Sequence, residues 1–354
     1  MDHQVKIGYS FWGFLGNGIT DTPDGGRSHR RPLVDELLAR GHEIVFLQAD
    51  RDRLEAGDDL ANTYGFDAGL PDIDLLFLEW RWPIFGRNTT PCGTPGHTCD
   101  FHRQAQLVRQ YALKHKVPTV IWDKDRQLRA DSIWRRTPHV AVCEAALDPT
   151  PGAHRLLFPV ADRLLDQADP ALLAAAPRHV ALGYVGNQYD RDEWFGKYFA
   201  PAAACFEHRV GGKWPNTTRW PHVKFLGRIP FEEVTRLYGG TLATLLLVPQ
   251  RYAEAGQMTQ RIFEAVLAGC LPLAPSDIQG ADRFVPTDLV VRSGNQVIRK
   301  ITELQKIAGS DRHVHLIQEC LERLELFRLS RQVDALETVM ATITGSTAVH
   351  QGAA

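Results

Sequence analysis

The amino-acid sequence predicts an α/β protein built as two doubly wound parallel sheets, one in each half of the chain. Three observations carry that prediction. The chain has 354 residues, enough for two domains at roughly 100–200 residues each. Short apolar runs alternate with amphipathic stretches along its length, the rhythm of repeated strand–helix–strand units. That rhythm starts afresh after a stretch rich in leucine, alanine and proline at 164–178.

In the first half the strand candidates are 5–9, 44–48, 75–79, 119–122 and 140–143. Each is too short for a buried helix, and their mostly apolar character fits parallel strands covered on both faces. The stretches 28–40 and 102–115 are amphipathic and read as covering helices. In the second half, 180–185, 206–210, 223–226, 242–248, 271–274 and 289–291 read as strands, and 232–238, 259–267 and 295–307 as helices. The segment 164–178 reads as a surface linker, and 312–343 as a closing helix or pair of helices. The expected units are one Rossmann-like domain at 1–165, a second at 166–345, and a frayed tail at 346–354. In open α/β sheets ligands bind beyond the carboxyl ends of the strands, so the cleft between the halves is the expected site.

Composition narrows the function. Hydrophobic residues make up 44% and charged residues 23%, as in an ordinary globular protein. The formal net charge of −2 excludes a uniformly basic nucleic-acid coat but leaves room for a local basic cleft. No apolar run reaches the roughly 18 residues of a membrane helix, and the N-terminus lacks the basic start and apolar core of a signal peptide. Six cysteines are sparse for this length. A reduced cytoplasmic monomer with no membrane partner is the expectation.

The most informative run is MTQRIFEAVLAG at 258–269. Arg261 and Glu264 stand one helical turn apart. A carboxylate inside this apolar run needs hydrogen-bond donors, and a ribose diol offers two. Arg261 can clamp a phosphate. An amphipathic helix with a snorkelling Arg and Glu is the plain alternative. Gly186 and Asn187 end a strand, followed by Arg191: the glycine lets backbone approach a diphosphate and the arginine neutralises it. Gly227, Arg228 and Ile229 end another strand before Pro230, leaving backbone groups to read a base edge. Simple strand–helix corners account equally for both segments.

Taken in order, Gly-Asn, Leu-Gly-Arg-Ile-Pro and Arg-Ile-Phe-Glu-Ala with a following glycine resemble the nucleotide-sugar half of GT-B glycosyltransferases over about 180–312. Two branches fit: the spore-protein-like bacterial glycosyltransferases and the DNA β-glucosyltransferases of T-even bacteriophages. The resemblance implies that Glu264 holds the donor ribose. It also implies that Arg261 and Arg191 hold the diphosphate, and that the Ile229 backbone reads uracil.

In the first half a glycine-rich loop at 12–27 includes Gly16 and Gly18 and precedes a helix. It either wraps a ligand or is a surface loop; its glycines do not fall in the G-x-G-x-x-G register of dinucleotide sites. Strand 119–122 runs into Trp122-Asp123-Lys124-Asp125-Arg126. Asp123 sits where catalytic groups of open sheets gather, so it reads as a general base or as a helix N-cap, with Asp125 the competing base. Ile-Trp-Asp followed by Arg126 and Ser-Ile-Trp at 132–134 is similar to the phage DNA glucosyltransferases, and that resemblance implies Asp123 as the base. Trp122, Arg126 and Arg129 join Gly16 and Gly18 as acceptor-binding candidates. Basic residues interleaved with tryptophans suit a DNA backbone with an extracted base, or form a solvated face.

Cys92, His97, Cys99 and His102 are possible ligands of a structural zinc, or loop residues with free thiols. The resemblance implies no permanently bound cofactor, only a UDP-sugar co-substrate. Retaining members often place a glutamate eight positions before the donor-helix glutamate; Gly256 occupies that position here, which favours inversion. The leading expectation is an inverting glycosyltransferase adding a sugar to a hydroxymethylated pyrimidine of double-stranded DNA, as in phage DNA modification. A glycosyltransferase acting on a small metabolite or surface polymer, and a non-catalytic binding module, are the alternatives.

Overall fold

The computed structural model describes residues 4–16, 26–84, 88–91, 93–95 and 100–351. The first half contains seven strands: β1 (Lys6–Ser10), β2 (Glu43–Phe46), β3 (Gly65–Phe66), β4 (Leu75–Glu79), β5 (Thr119–Asp123), β6 (Val140–Glu144) and β7 (Ala153–Arg155). They form one sheet in the order β3-β2-β1-β4-β5-β6-β7, parallel throughout. The second half contains β8 (Val180–Val185), β9 (His208–Gly211), β10 (Phe225–Gly227), β11 (Thr241–Leu245), β12 (Leu271–Pro275) and β13 (Val290–Val291). Their order, β10-β9-β8-β11-β12-β13, is again parallel and repeats the same winding. Strand order reverses between β1 and β4 in one sheet and between β8 and β11 in the other, and each reversal opens a crevice at the strand ends.

Each of the apolar runs read as strands is one. The central strands β4, β5, β6 and β8 are buried along their whole length, which is why they lack an inside–outside alternation. The short edge strands β3 and β7 escaped the sequence reading because they are two and three residues long and partly exposed. The segment expected as a linker is helical in two places, Asp162–Asp166 and Pro170–Ala175. Asp169 caps the second of these, accepting from the backbone N–H of Ala171 (2.8 Å) and Leu172 (3.1 Å), and Pro170 fills the permitted first position.

The closing stretch is a pair of helices, Asp311–Leu324 and Leu329–Gln351, and the two go to different sheets. Asp311–Leu324 packs on the second half, against β12 and the helix Pro170–Ala175. Leu329–Gln351 crosses back to the first half, against β5, β6 and the helix Gly26–Ala39. It buries Leu329, Val333, Leu336, Val339, Met340 and Ile343 there. Arg40 holds it through Asp334 (2.6 Å) and Glu337 (2.8 Å). By packing this helix completes the first half, although it lies within the 166–345 stretch expected to form the second. Its backbone stays helical to Gln351, into the tail expected to fray. Among the described residues no helix is long and apolar enough to cross a membrane.

Candidate active site

A cavity lies where the two crevices face each other. From the first half it is lined by Trp12 beyond β1, Glu79 and Trp80 at the end of β4, and Lys124 and Asp125 beyond β5. Trp82 and Ile84 complete that wall. From the second half come Tyr184–Asn187 at the end of β8, Gly212 beyond β9, Arg228 and Ile229 beyond β10, and Arg261 at the start of a helix.

The second-half wall is built from tight main-chain corners. Gly212 has φ +130°, and a Cβ there would lie 2.2 Å from the Gly186 carbonyl oxygen, so only glycine lets the β8 and β9 ends approach this closely. The Gly186 carbonyl accepts from the Trp214 indole (2.8 Å), and Asn187 Oδ1 accepts from the Lys213 backbone N–H (2.8 Å). Arg191 is aimed by main-chain carbonyls: those of Leu247 (3.1 Å), Asn187 (3.2 Å) and Tyr189 (2.8 Å) each accept from its guanidinium. Its charge is thus oriented beside the cavity by neutral groups. Gly227, at φ 73°, makes the turn that brings Arg228 and Ile229 to the wall.

Arg261 opens the helix Arg261–Val266 and pairs with Glu264 one turn on. Burial alone would lower the pKa of Arg261; Glu264 and Tyr238 more than offset it and raise it, so the guanidinium stays charged. Glu264 is not part of the cavity wall. Its carboxylate sits behind Arg261 and also accepts from the hydroxyl of Ser28, which comes across from the first half. The structure therefore gathers Gly186, Asn187, Arg191, Arg228, Ile229 and Arg261 on one wall, with Gly227 and Glu264 supporting it.

The first-half expectations fare differently. Asp123 is fully buried, and both carboxylate oxygens are occupied: the backbone N–H groups of Gln127 (3.0 Å) and Leu128 (2.7 Å) donate to them. Asp123 is thus a loop cap beneath the cavity, with its pKa pushed up to about 6 by burial. Of the two aspartates, the one that lines the cavity is Asp125, two residues on. Three side chains of the second half hold this segment. Tyr252 donates its hydroxyl to Asp125 Oδ1, Arg251 donates to the Asp125 carbonyl (3.0 Å), and Gln257 donates to the Lys124 carbonyl (2.6 Å).

Trp122, expected at the acceptor, is fully buried in the core, its indole N–H on the Leu156 carbonyl (3.1 Å). In a parallel strand covered on both faces, a side chain before the strand's end points into a packed layer. Arg126, at φ 51°, turns inward onto Glu144, and Arg135 joins the same carboxylate at 2.7 Å. Arg129 is exposed and pairs with its near neighbour Asp131 (2.8 Å). Much of the basic cluster therefore neutralises a buried glutamate instead of facing the cleft. Gly16 is buried, its N–H on Asp52 Oδ1 (2.8 Å), and does not line the cavity. Gly18 lies outside the described residues, as do Cys92, His97 and Cys99. His102 is exposed on the helix Asp100–Leu107. Among the described residues no group of three His, Cys, Asp or Glu is placed to hold a metal ion.

Sequence reasoning missed the cavity floor. Glu79 accepts from Arg30 Nε (2.7 Å) and Nη2 (2.6 Å) and from the Tyr9 hydroxyl (2.8 Å), and pairs with Lys124 Nζ (2.7 Å). Burial would raise its pKa, but Arg30 and Lys124 hold it well below the usual carboxylate range. His29 lies against Lys124, and burial and that charge push its pKa well down, keeping it neutral. Replacing Glu79 with Gln leaves two buried cations without their anion and is expected to cost about 3–5 kcal/mol in urea denaturation. Because the folded-state pKa is depressed, this contribution is fully present above the unfolded carboxyl pKa of about 4.3 and declines as pH falls below it; the variant loses that acid-side dependence.

Comparison with solved structures places this architecture. The chain superposes on the β-glucosyltransferase of T4 phage in complex with its UDP-glucose substrate at a TM-score of 0.64, with 12% identity over 96% of this chain and 99% of that one. The chain has the GT-B glycosyltransferase fold. An α-glucosyltransferase in complex with UDP-glucose and DNA containing an abasic site aligns at a TM-score of 0.63, with 10% identity and coverage of 96% and 100%. AviGT4, a glycosyltransferase involved in avilamycin A biosynthesis, aligns at 0.55, with 13% identity and coverage of 96% and 98%. Residues 193–325, within the second half, match the family model described as glycosyl transferase-like. Among curated protein sequences none matches.

Proposed function

We propose that this GT-B protein moves a sugar from a UDP-sugar, glucose foremost, to the hydroxyl of a hydroxymethylated pyrimidine in DNA, by direct displacement with inversion. The observation that carries the reading is that Asp125 lines the same cavity as Arg191, Arg261 and the Arg228–Ile229 corner. The two arginines suit a diphosphate, and the main-chain corner suits a uracil edge. As the acceptor oxygen bonds to the anomeric carbon and the bond to UDP breaks, Asp125 takes the acceptor proton. Arg191 and Arg261 then stabilise the charge that develops on the leaving diphosphate. Asp125 thus takes the role first expected of Asp123.

For the acceptor, support comes from alignment over nearly the whole chain with glucosyltransferases, one described as a DNA-modifying enzyme and another solved with DNA. Trp12, Trp80 and Trp82 give the first-half wall flat apolar faces on which an unstacked base can lie. The inward turn of Arg126 and Arg135 favours the second reading, a small hydroxylated acceptor. Incubation with labelled UDP-glucose separates the two. The DNA reading expects label in hydroxymethylated duplex, with affinity falling steeply as salt rises. Label entering only small acceptors, indifferent to salt, establishes the second reading. No transfer from any nucleotide sugar to either class overturns both.

A further inference from the structure

Asp125 is not held by its own half alone. Tyr252 is buried, 5% exposed, and donates its hydroxyl to Asp125 Oδ1 from the opposite side of the cavity. Arg251, anchored on Asp190 at 2.7 Å, and Gln257 hold the carbonyls of the two peptides that flank Asp125. The stretch also docks the two halves main chain to main chain: Leu147 N–H donates to the Gly256 carbonyl (2.9 Å) and Asp148 N–H to that of Ala255 (3.2 Å). The charged and titratable groups around Asp125 are Asp123, Lys124 and Arg126 on its own loop, and Arg251 and Tyr252 from the other half, with Arg191 beside Tyr252. Burial, then the charge on Asp125, keeps the Tyr252 hydroxyl protonated and therefore a donor.

We propose that Tyr252 is a positioning residue for the transfer: its hydroxyl ties up one carboxylate oxygen of Asp125 and fixes the rotamer that presents the other to the acceptor. Since Tyr252 belongs to the sugar-donor half, the base is in place only while the two halves are docked. Proton removal is thereby coupled to closure of the cleft around the donor. This inference rests on the reading of Asp125 as the base.

The test follows UDP release from UDP-glucose, with hydroxymethylated duplex and with water as sole acceptor, in Asp125→Asn and Tyr252→Phe. Asp125→Asn is expected to lose about 10²–10⁴-fold in turnover. Tyr252→Phe is expected to bind UDP-glucose as the parent does and to lose about ten-fold or more in kcat. The acid limb of its kcat profile should move to higher pH, because a hydrogen bond donated to a carboxylate favours the ionised form. Active Asp125→Asn removes the base reading itself. Inactive Asp125→Asn beside a Tyr252→Phe variant with an unmoved acid limb, whether or not kcat falls, overturns the positioning role and leaves the base reading standing. If Tyr252→Phe fails to bind UDP-glucose through misfolding, 3-fluorotyrosine at position 252 replaces it. Its stronger donor should move the limb to lower pH, and an unmoved limb again overturns the role.

Discussion

Replacing Asp125 with Asn lowers turnover by about 10²–10⁴-fold and leaves UDP-glucose affinity within about two-fold, the signature of a lost general base. Asparagine keeps the shape and can still accept from the Tyr252 hydroxyl, so the cleft stays docked. The informative contrast is Asp123→Asn. The Asp123 carboxyl, pushed up to about 6, has a pKa a base could use, but position comes before pKa. Both of its oxygens already serve the backbone of the loop that carries Asp125. An amide there keeps one good acceptor and gives up the other, at about 1–3 kcal/mol of stability. Steady-state kinetics with isothermal titration on both variants decide the matter. A dead but well-folded Asp123→Asn beside an active Asp125→Asn would reverse the assignment.

Removing Arg261 has the second large effect. Its guanidinium lines the cavity while Glu264 stands directly behind it. In Arg261→Ala the diphosphate loses a charge-assisted contact and meets a half-buried carboxylate whose cation has gone. The expected outcome is a Kd for UDP-glucose weaker by about 100-fold, the sum of a lost hydrogen bond to a charged group and a new repulsion. Combining it with Glu264→Gln removes the repulsion and should recover part of the loss. A simple sum of the two single effects would instead show that the pair does not act as a unit at the donor. Calorimetric titration with UDP-glucose and with UDP separates the sugar from the nucleotide in this measurement.

The fold was legible because each central strand is a short apolar run between amphipathic stretches, and burial on both faces leaves little else for such a run to be. The second-half wall of the cavity was legible for a related reason. Glycine at 186 and 227 and arginine at 191 and 261 follow strand ends or open a helix at close sequence spacing, so local pattern brings them to one place. Asp125 and Asp123 could not be separated that way. Both follow the same strand, and the choice turns on two backbone N–H groups that only the folded loop directs at Asp123. Tyr252, Ser28 and Glu79 left no sequence signal at all. Their partners lie 127, 236 and 49 residues away, at distances no spacing rule spans. The arginine cluster misled because composition counts charges without showing that Glu144 lies buried beneath them.

The return of the helix Leu329–Gln351 to the first sheet has a consequence for how the protein is made. A ribosome finishes β7 long before it reaches this helix. At about 5–20 residues per second, roughly ten to forty seconds pass in which the nascent first half lacks the element that seals its oily underside. The first half is therefore completed only after the second has been made, and a message cut short before residue 329 would release an aggregation-prone product even though every strand of both sheets had been translated.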